Sequence, residues 1–410
     1  MKSWNRPVVP RLPGRAPVPR VFDSSSRGLI DATPRAEASL YVCGITPYDA
    51  THLGHANTYL AFDTLVRLWT DGGYDVRYAQ NVTDVDDPLL ERAVATGVDW
   101  RELAAQQIEL FRGDMESLRI VPPTHYVAVT DMIDEVAVAI RTLLDAGVAY
   151  RLDDGTDDIY FDNAAGATPA WTLGDESGLD RATMLVLSAE RGGDPDRPGK
   201  RDALDPLLWR GPRDGEPAWE SPLGVGRPGW HIECSVIAQH YLDTPITVQG
   251  GGSDLLFPHH EFSAGHAAAL SGRPLADVYS HAGMVAYDGE KMSKSLGNLV
   301  LVSALTSEGT DPRAIRLALL DRHYRSDWEW TRGQLTEAQC RLGTWETWAA
   351  AAVSDDATAD ATLLDALRAA LANDLDTPAA LAAVDARIAS GAPATRTDVA
   401  SIDALLGIAL

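Results

Sequence analysis

Residues 40 to 84 constrain the fold of this chain most. "LYVCGIT" (40–46) is an apolar run of strand length. "GHANTYLAFDTLVRLWTDGGY" (54–74) sets Tyr59, Ala61, Leu65, Leu68 and Trp69 near helical spacing and closes at Gly72 and Gly73. "DVRYAQNVTD" (75–84) then alternates like a strand. A strand, a helix and a strand in so short a span predict two parallel strands joined by a crossover, the opening of a parallel α/β sheet.

Downstream, residues 98–147 carry two helical patterns, and "YRLDDGTDDIYFD" (150–162) reads as a hairpin with an Asp-Gly turn. A loop rich in Gly, Asp and Pro runs from there to about 206, as an insertion into the sheet domain would. The sheet resumes with a helix at 230–242, a strand entering a glycine loop at 245–254, a helix at 259–270, and strand and turn at 277–291. From about 311 the pattern is helical, with an alanine-rich pair broken at Pro378. The expected organisation is a proline-rich extension (1–35), a first catalytic half (36–120), an insertion (121–205), a second half (206–300) and a helical bundle (301–410).

Composition narrows the class. The first twenty residues are broken by five prolines and lack an apolar targeting core, and no later run reaches membrane-span length, so a cytoplasmic enzyme is expected. Cys43, Cys234 and Cys340 are too few and too scattered for a disulfide framework, leaving burial, metal binding or catalysis as roles. A formal charge of −24 repels polyanions, so a nucleic-acid partner would need a local basic surface.

Two short motifs carry chemistry. In "THLGHA" (51–56), His52 and His55 stand where strand turns into helix, and the helix N-terminus offers unpaired N–H groups and partial positive charge to a phosphate. "KMSKS" (291–295) holds two of only four lysines, Lys291 and Lys294. A lysine is a compact charge on a mobile stem, suited to following phosphate oxygens as pyrophosphate departs.

HLGH with a distant KMSKS resembles the class I aminoacyl-tRNA synthetase signature. "YVCGITPYDATHLGHA", "NVTDVDD", "PGWHIECS", "GGGSDLLFPHHE" and "KMSKSLGN" together are similar to its cysteinyl branch, over roughly residues 40–330. The resemblance implies a Rossmann-like parallel α/β catalytic domain with an α/β insertion and a helical bundle. It also implies ATP-dependent formation of cysteinyl-adenylate, with Mg2+ accompanying ATP.

The same resemblance implies one zinc ion per chain, held by Cys43, Cys234 and His259, its fourth position open to the substrate sulfur. The synthetases' fourth ligand, a glutamate, is replaced by Ser263, while His260 and Glu261 are candidates for supporting contacts and Cys340 for packing. Carried over residue by residue, Cys43, Gly44, Ile45, Thr46, Thr58, Asn81, Val82 and Thr83 line the adenylate. Trp230 floors the cysteine pocket, Gly252, Ser253 and Asp254 hold the ribose, and Val285 meets adenine. His52, His55, Lys291 and Lys294 stabilise the leaving pyrophosphate.

The acceptor is read from the tail. The last sixty residues carry nine acidic groups and no lysine, a poor balance for phosphate, so no anticodon-binding domain and no nucleic-acid partner are expected. A shortened synthetase homologue of this kind resembles the mycothiol cysteine ligase family, as does "ERGGDP" (190–195), whose Glu190, Arg191 and Asp194 are candidates for binding the amine acceptor glucosaminyl-inositol (GlcN-Ins). Asp84 and Glu190 are candidates for the base. A monomer without membrane association is expected, and a compact cysteinyl-tRNA synthetase is the alternative.

Overall fold

The computed structural model describes residues 1–48, 51–287, 289–292, 298–351 and 362–410. Its central sheet has five parallel strands: β1 (Ala38–Val42), β2 (Val76–Val82), β3 (His125–Ala128), β4 (Val248–Gly252) and β5 (Tyr279–Ala282), in the order β5-β4-β1-β2-β3. The chain builds outward from β1 to β3, then returns to lay β4 and β5 on the other side. That reversal opens a crevice at the carboxyl ends of β1 and β4, the usual ligand position in open α/β sheets. Register is set by pairs such as Leu40 with Tyr78 and Val248 with Leu40.

Helix α1 (Leu53–Asp71) crosses from β1 to β2 and is buried on nearly every face, with Phe62, Leu65, Leu68 and Trp69 all but inaccessible. Each such side chain contributes roughly 1.5–3 kcal/mol of burial. Charges buried on the same helix need partners, and the C-terminal region supplies them. Asp63 accepts from Arg67 Nε at 2.7 Å and also from Arg316 on α5 (Pro312–Leu320). Against burial, Arg67 and Arg316 hold the Asp63 carboxyl below its ordinary range, and burial lowers Arg316 to about 10. Further guanidinium hydrogens go to carbonyls of the final turn, Arg67 Nη1 to Ala404 O at 3.1 Å and Arg316 Nε to Leu406 O at 2.6 Å, and others to Arg119 O and Leu118 O, both at 2.6 Å. The helical region thereby docks under the helix that begins with the His motif.

Several elements differ from expectation. β1 stops at Val42 because the backbone must turn: a Cβ on Gly44 would lie 1.6 Å from the Asn81 carbonyl oxygen. The helix Asp87–Thr96, capped by Asp86, precedes the two helical patterns read over 98–147, and the strand β3 lies within that span. β3 is only four residues long, too short to show a period. The stretch read as loop up to 206 contains the helix Arg181–Glu190, capped by Asp180. Within the span 121–205, β3 belongs to the central sheet. The second, antiparallel sheet runs through Ala149–Arg151, Ile159–Phe161, Leu207–Arg210 and Arg227–Pro228. The proline-rich extension is anchored: Trp4 is buried, its indole donating to Ile120 O at 2.7 Å, and Arg20–Asp23 pairs with Gly28–Asp31. No described helix is long and apolar enough to cross a membrane.

Candidate active site

The N-terminus of α1 faces the crevice. His52 caps it, its Nδ1 accepting the Gly54 N–H at 3.1 Å, which leaves Nε2 as the protonated nitrogen of the neutral ring. The His55 ring stacks on it, centroids 3.9 Å apart. Leu53 N–H donates to Val300 O at 2.9 Å and Val302 N–H to Thr51 O at 3.2 Å, so the motif is clamped to the chain that follows the lysine loop. The Lys291 backbone pairs with Ala286, whereas Ser293, Lys294 and Ser295 lie outside the described residues.

The crevice floor is built from β1 and β2. The Asn81 carboxamide accepts from Gly44 N–H at 2.8 Å and Tyr41 O–H at 3.1 Å, and donates to Thr83 Oγ1 at 3.0 Å. Asn81 is thus spent on holding the 43–45 turn, and Thr83 N–H adds a bond to Ile45 O at 3.0 Å. Val82 and Val285 are buried and contribute packing and backbone, while Thr46 is half-buried. Across the crevice, a Cβ on Gly252 would sit 2.8 Å from Asp254 Oδ1 and 3.8 Å from Thr58 Oγ1. Glycine there keeps open the space between α1 and Asp254; Ser253 begins the short turn that carries that carboxylate.

Beside the crevice the structure gathers Cys43, Cys234 and His259. Cys43 follows β1, Cys234 lies on α3 (Trp230–Tyr241), and His259 lies in the kinked turn before α4 (Glu261–Ser271). Their ligand atoms lie within 4.8 Å of one another, with the sulfurs 3.8 Å apart and His259 Nε2 3.1 Å from Cys234 Sγ. Two thiolates at neighbouring corners of a tetrahedral zinc centre would stand roughly 3.8 Å apart, so the donor set fits that ion.

The surroundings orient these ligands. His259 Nδ1 meets His231 Nδ1 at 3.0 Å, and the Trp230 ring stacks on His259. His260 Nε2 lies 3.2 Å from Cys43 Sγ and its Nδ1 2.8 Å from His281 Nε2, while His281 Nδ1 lies 2.7 Å from Ser24 Oγ. Burial lowers His231, His260 and His281, the last to about 4, so all three are neutral near pH 7. Burial raises the Cys43 thiol. Cys234 is buried too, but hydrogen bonding from Cys43 and the nearby His259 lower it well below the usual thiol range.

Ser263, at the position of the synthetases' fourth ligand, donates to His259 O at 2.7 Å and His231 O at 3.0 Å. It ties two backbones together. Glu261 accepts from Trp171 Nε1, Gly174 N and Ser177 N at 3.0, 2.9 and 2.8 Å and so anchors the inserted loop. Cys340 is exposed.

The "ERGGDP" residues face the same side but are largely engaged. Arg191 Nη1 donates to the carbonyls of Asp254, at 2.6 Å, and Phe257. Asp194 accepts from Tyr160 and from Lys200 Nζ at 2.8 Å. Glu190, the last residue of its helix, is exposed. Sequence reasoning missed Glu233, a buried carboxyl beside Cys234 whose pKa is raised by burial and by Asp86, itself raised by burial to about 6. It missed His231 as well, although "WHIEC" puts that ring one helical turn before Cys234.

Residues 30–340 match the family model of the tRNA synthetases class I (C) catalytic domain. The L-cysteine:1D-myo-inositol 2-amino-2-deoxy-alpha-D-glucopyranoside ligase of Clavibacter michiganensis subsp. michiganensis is 63% identical, the match covering 100% of this chain and 99% of that protein. The ligase of the same name from Paenarthrobacter aurescens is 57% identical, with 100% of both chains covered. In fold, the chain is similar to Mycobacterium tuberculosis methionyl-tRNA synthetase in complex with methionyl-adenylate, with a TM-score of 0.60 at 19% identity over 91% of this chain and 88% of that one.

Proposed function

Since this chain belongs to the family of tRNA synthetases class I (C) catalytic domains, we propose that it is an ATP-dependent ligase acting on cysteine. It activates L-cysteine as cysteinyl-AMP and transfers the cysteinyl group to the amine of GlcN-Ins, forming an amide with release of AMP and pyrophosphate, a step of mycothiol biosynthesis. The observation that carries this reading is the 63% identity, end to end, with a ligase named for those substrates.

In the first step the cysteine carboxylate attacks the α-phosphate of Mg-ATP lying across the crevice. His52, donating from Nε2, and His55 meet the phosphate oxygens at the start of α1, and Lys291 and Lys294 follow the departing pyrophosphate. Asp254 takes the ribose hydroxyls, its loop braced by Arg191. Gly44, Ile45, Thr46, Thr58 and Thr83 border the adenylate, and Val285 meets adenine through its backbone. Cys43, Cys234 and His259 hold zinc, and Trp230 forms the wall beside it. When bound there, zinc offers a soft acceptor that prefers the sulfur of cysteine to the oxygen of serine.

In the second step the neutral amine attacks the acyl carbon: the C–N bond forms, the acyl C–O bond to phosphate breaks, and AMP leaves with the electron pair. The enzyme is read as a cytoplasmic monomer, and its acidic tail and net charge of −24 weigh against a nucleic-acid partner. The test is mass spectrometry of products from cysteine and Mg-ATP with GlcN-Ins or tRNA offered separately. The reading requires an amide from the aminosugar; cysteinyl-tRNA alone would replace it with a compact synthetase.

A further inference from the structure

One cavity, of about 430 Å³, lies outside the crevice and within the range of small-ligand sites (roughly 300–1,000 Å³). It opens at the carboxyl ends of β2 and β3, where Asp84 and Thr130 stand. Asp84 directly follows Thr83, whose N–H is bound to the 43–45 turn, so the cavity begins one residue beyond the adenylate border. Its second wall is α2 (Trp100–Ser117), which contributes Trp100 and Glu109. The insertion closes it with Trp219, held by a bridge to Gly226.

The lining has the chemistry of a carbohydrate site. Trp100 and Trp219 stand edge to face, centroids 6.4 Å apart and planes at 75°, forming an apolar corner. Both are only partly buried. Arg101 lies over Trp100 at 4.3 Å and covers one of its faces. The lining also carries acceptor groups: the Asp84 carboxylate, which takes Thr130 N–H at 3.0 Å and Thr130 O–H at 2.5 Å, and Glu109, which accepts from Arg112 through one oxygen. Aromatic faces suit the C–H surfaces of a sugar ring, and carboxylates suit hydroxyls and an ammonium. A phosphate-bearing ligand would meet two carboxylates, one arginine that is already stacked, and the N-terminal ammonium of Met1, which is already engaged by Tyr126 O at 3.1 Å and Asp131 at 3.8 Å.

We infer that this cavity is the subsite for the polyhydroxylated aminosugar acceptor, with Trp100 and Trp219 against its ring faces and Asp84 directed at its amine. This rests on the ligase reading above. It moves acceptor recognition from the "ERGGDP" loop, whose Arg191 and Asp194 brace the fold, to the junction of β2, α2 and the insertion. Asp84 then receives the proton that the acceptor ammonium must lose before attack. Burial raises its carboxyl, against the hydrogen bonds from Thr130, in the direction a proton acceptor needs.

The experiment compares, in the same full-length preparations, kcat/KM for GlcN-Ins in amide formation with cysteine-dependent ATP–pyrophosphate exchange, which needs no acceptor. Trp219→Ala removes one ring face. Ala105→Trp, on the exposed side of α2, fills the cavity from a helical surface position that does not disturb the core. The ratio of the two activities is expected to fall by about tenfold or more in both, through KM, and to recover largely in Trp219→Phe. An unchanged ratio in both, or exchange and amide formation falling in parallel, overturns the subsite. A wild-type protein that exchanges pyrophosphate but makes no amide overturns the ligase reading itself, which distinguishes the two failures.

Discussion

Trp230 lies nearly flat on His259, ring centroids 4.3 Å apart and planes 27° from parallel. The stack and the 3.0 Å contact to His231 leave His259 one usable orientation, with Nε2 directed at Cys234. Removing the indole frees that ring. Trp230→Ala is expected to weaken zinc binding about 10-fold or more, read by competition with a chromogenic chelator.

Cys234→Ala removes a ligand outright. The purified variant is expected to contain well under one zinc per chain by elemental analysis, and to lose its preference for cysteine over serine in pyrophosphate exchange. Full zinc content with unchanged preference would take Cys234 out of the site.

Arg316→Met breaks the buried triad at α1. It leaves Asp63 with Arg67 as its one cationic partner beside the Val121 N–H, and the Leu406 and Leu118 carbonyls without the guanidinium. The expected loss is about 3–5 kcal/mol in urea unfolding, the scale for removing one member of a buried ion pair. A loss below about 1 kcal/mol would mean that water replaces the guanidinium.

Glu176 gives a pH dependence whose sign follows from its environment. Burial, with Glu261 and Asp23 nearby, raises its carboxyl to about 8, against the hydrogen bond from Ser25. A folded pKa above the unfolded one means that the folded state holds the extra proton. Its stabilising contribution is complete below the unfolded pKa and is lost as pH rises through about 8. Glu176→Gln is therefore expected to melt higher than wild type at pH 9 and nearly alike at pH 5, the difference being on the order of a few kcal/mol.

Arg191→Ala is expected to raise KM for ATP, because its guanidinium holds the carbonyls of Asp254 and Phe257. A change confined to KM for the acceptor would return "ERGGDP" to the role expected from sequence.

The family was legible in the sequence because its signature sits in contiguous stretches that keep their spacing, such as HLGH at a strand-to-helix turn. The parallel sheet was legible for a related reason: "LYVCGIT" is an apolar run of strand length and "DVRYAQNVTD" is long enough to show alternation. β3, with four residues, is not, and it owes its strand to pairing with β2. Spacing alone said little about Cys43, Cys234 and His259, because a sheet that reverses direction brings distant chain ends together. Side-chain partners were the least visible. Nothing in "ERGGDP" reveals that Arg191 reaches two carbonyls and Asp194 a tyrosine and a lysine, or that Trp100 and Trp219 share a cavity wall.

The junction between α1 and residues 403–406 also sets an order in time. Arg67 and Arg316 find their last acceptors on carbonyls near the far end of the chain, and Arg119 finds its carboxylate partner at Asp403. During synthesis the helix that presents His52 and His55 is made early, but Arg67 on it, and later Arg316 packed beneath it, lack part of their acceptor set until that final turn has been translated. A copy truncated before residue 403 would keep the Asp63 pairing but bury two guanidinium groups each short of one or more acceptors.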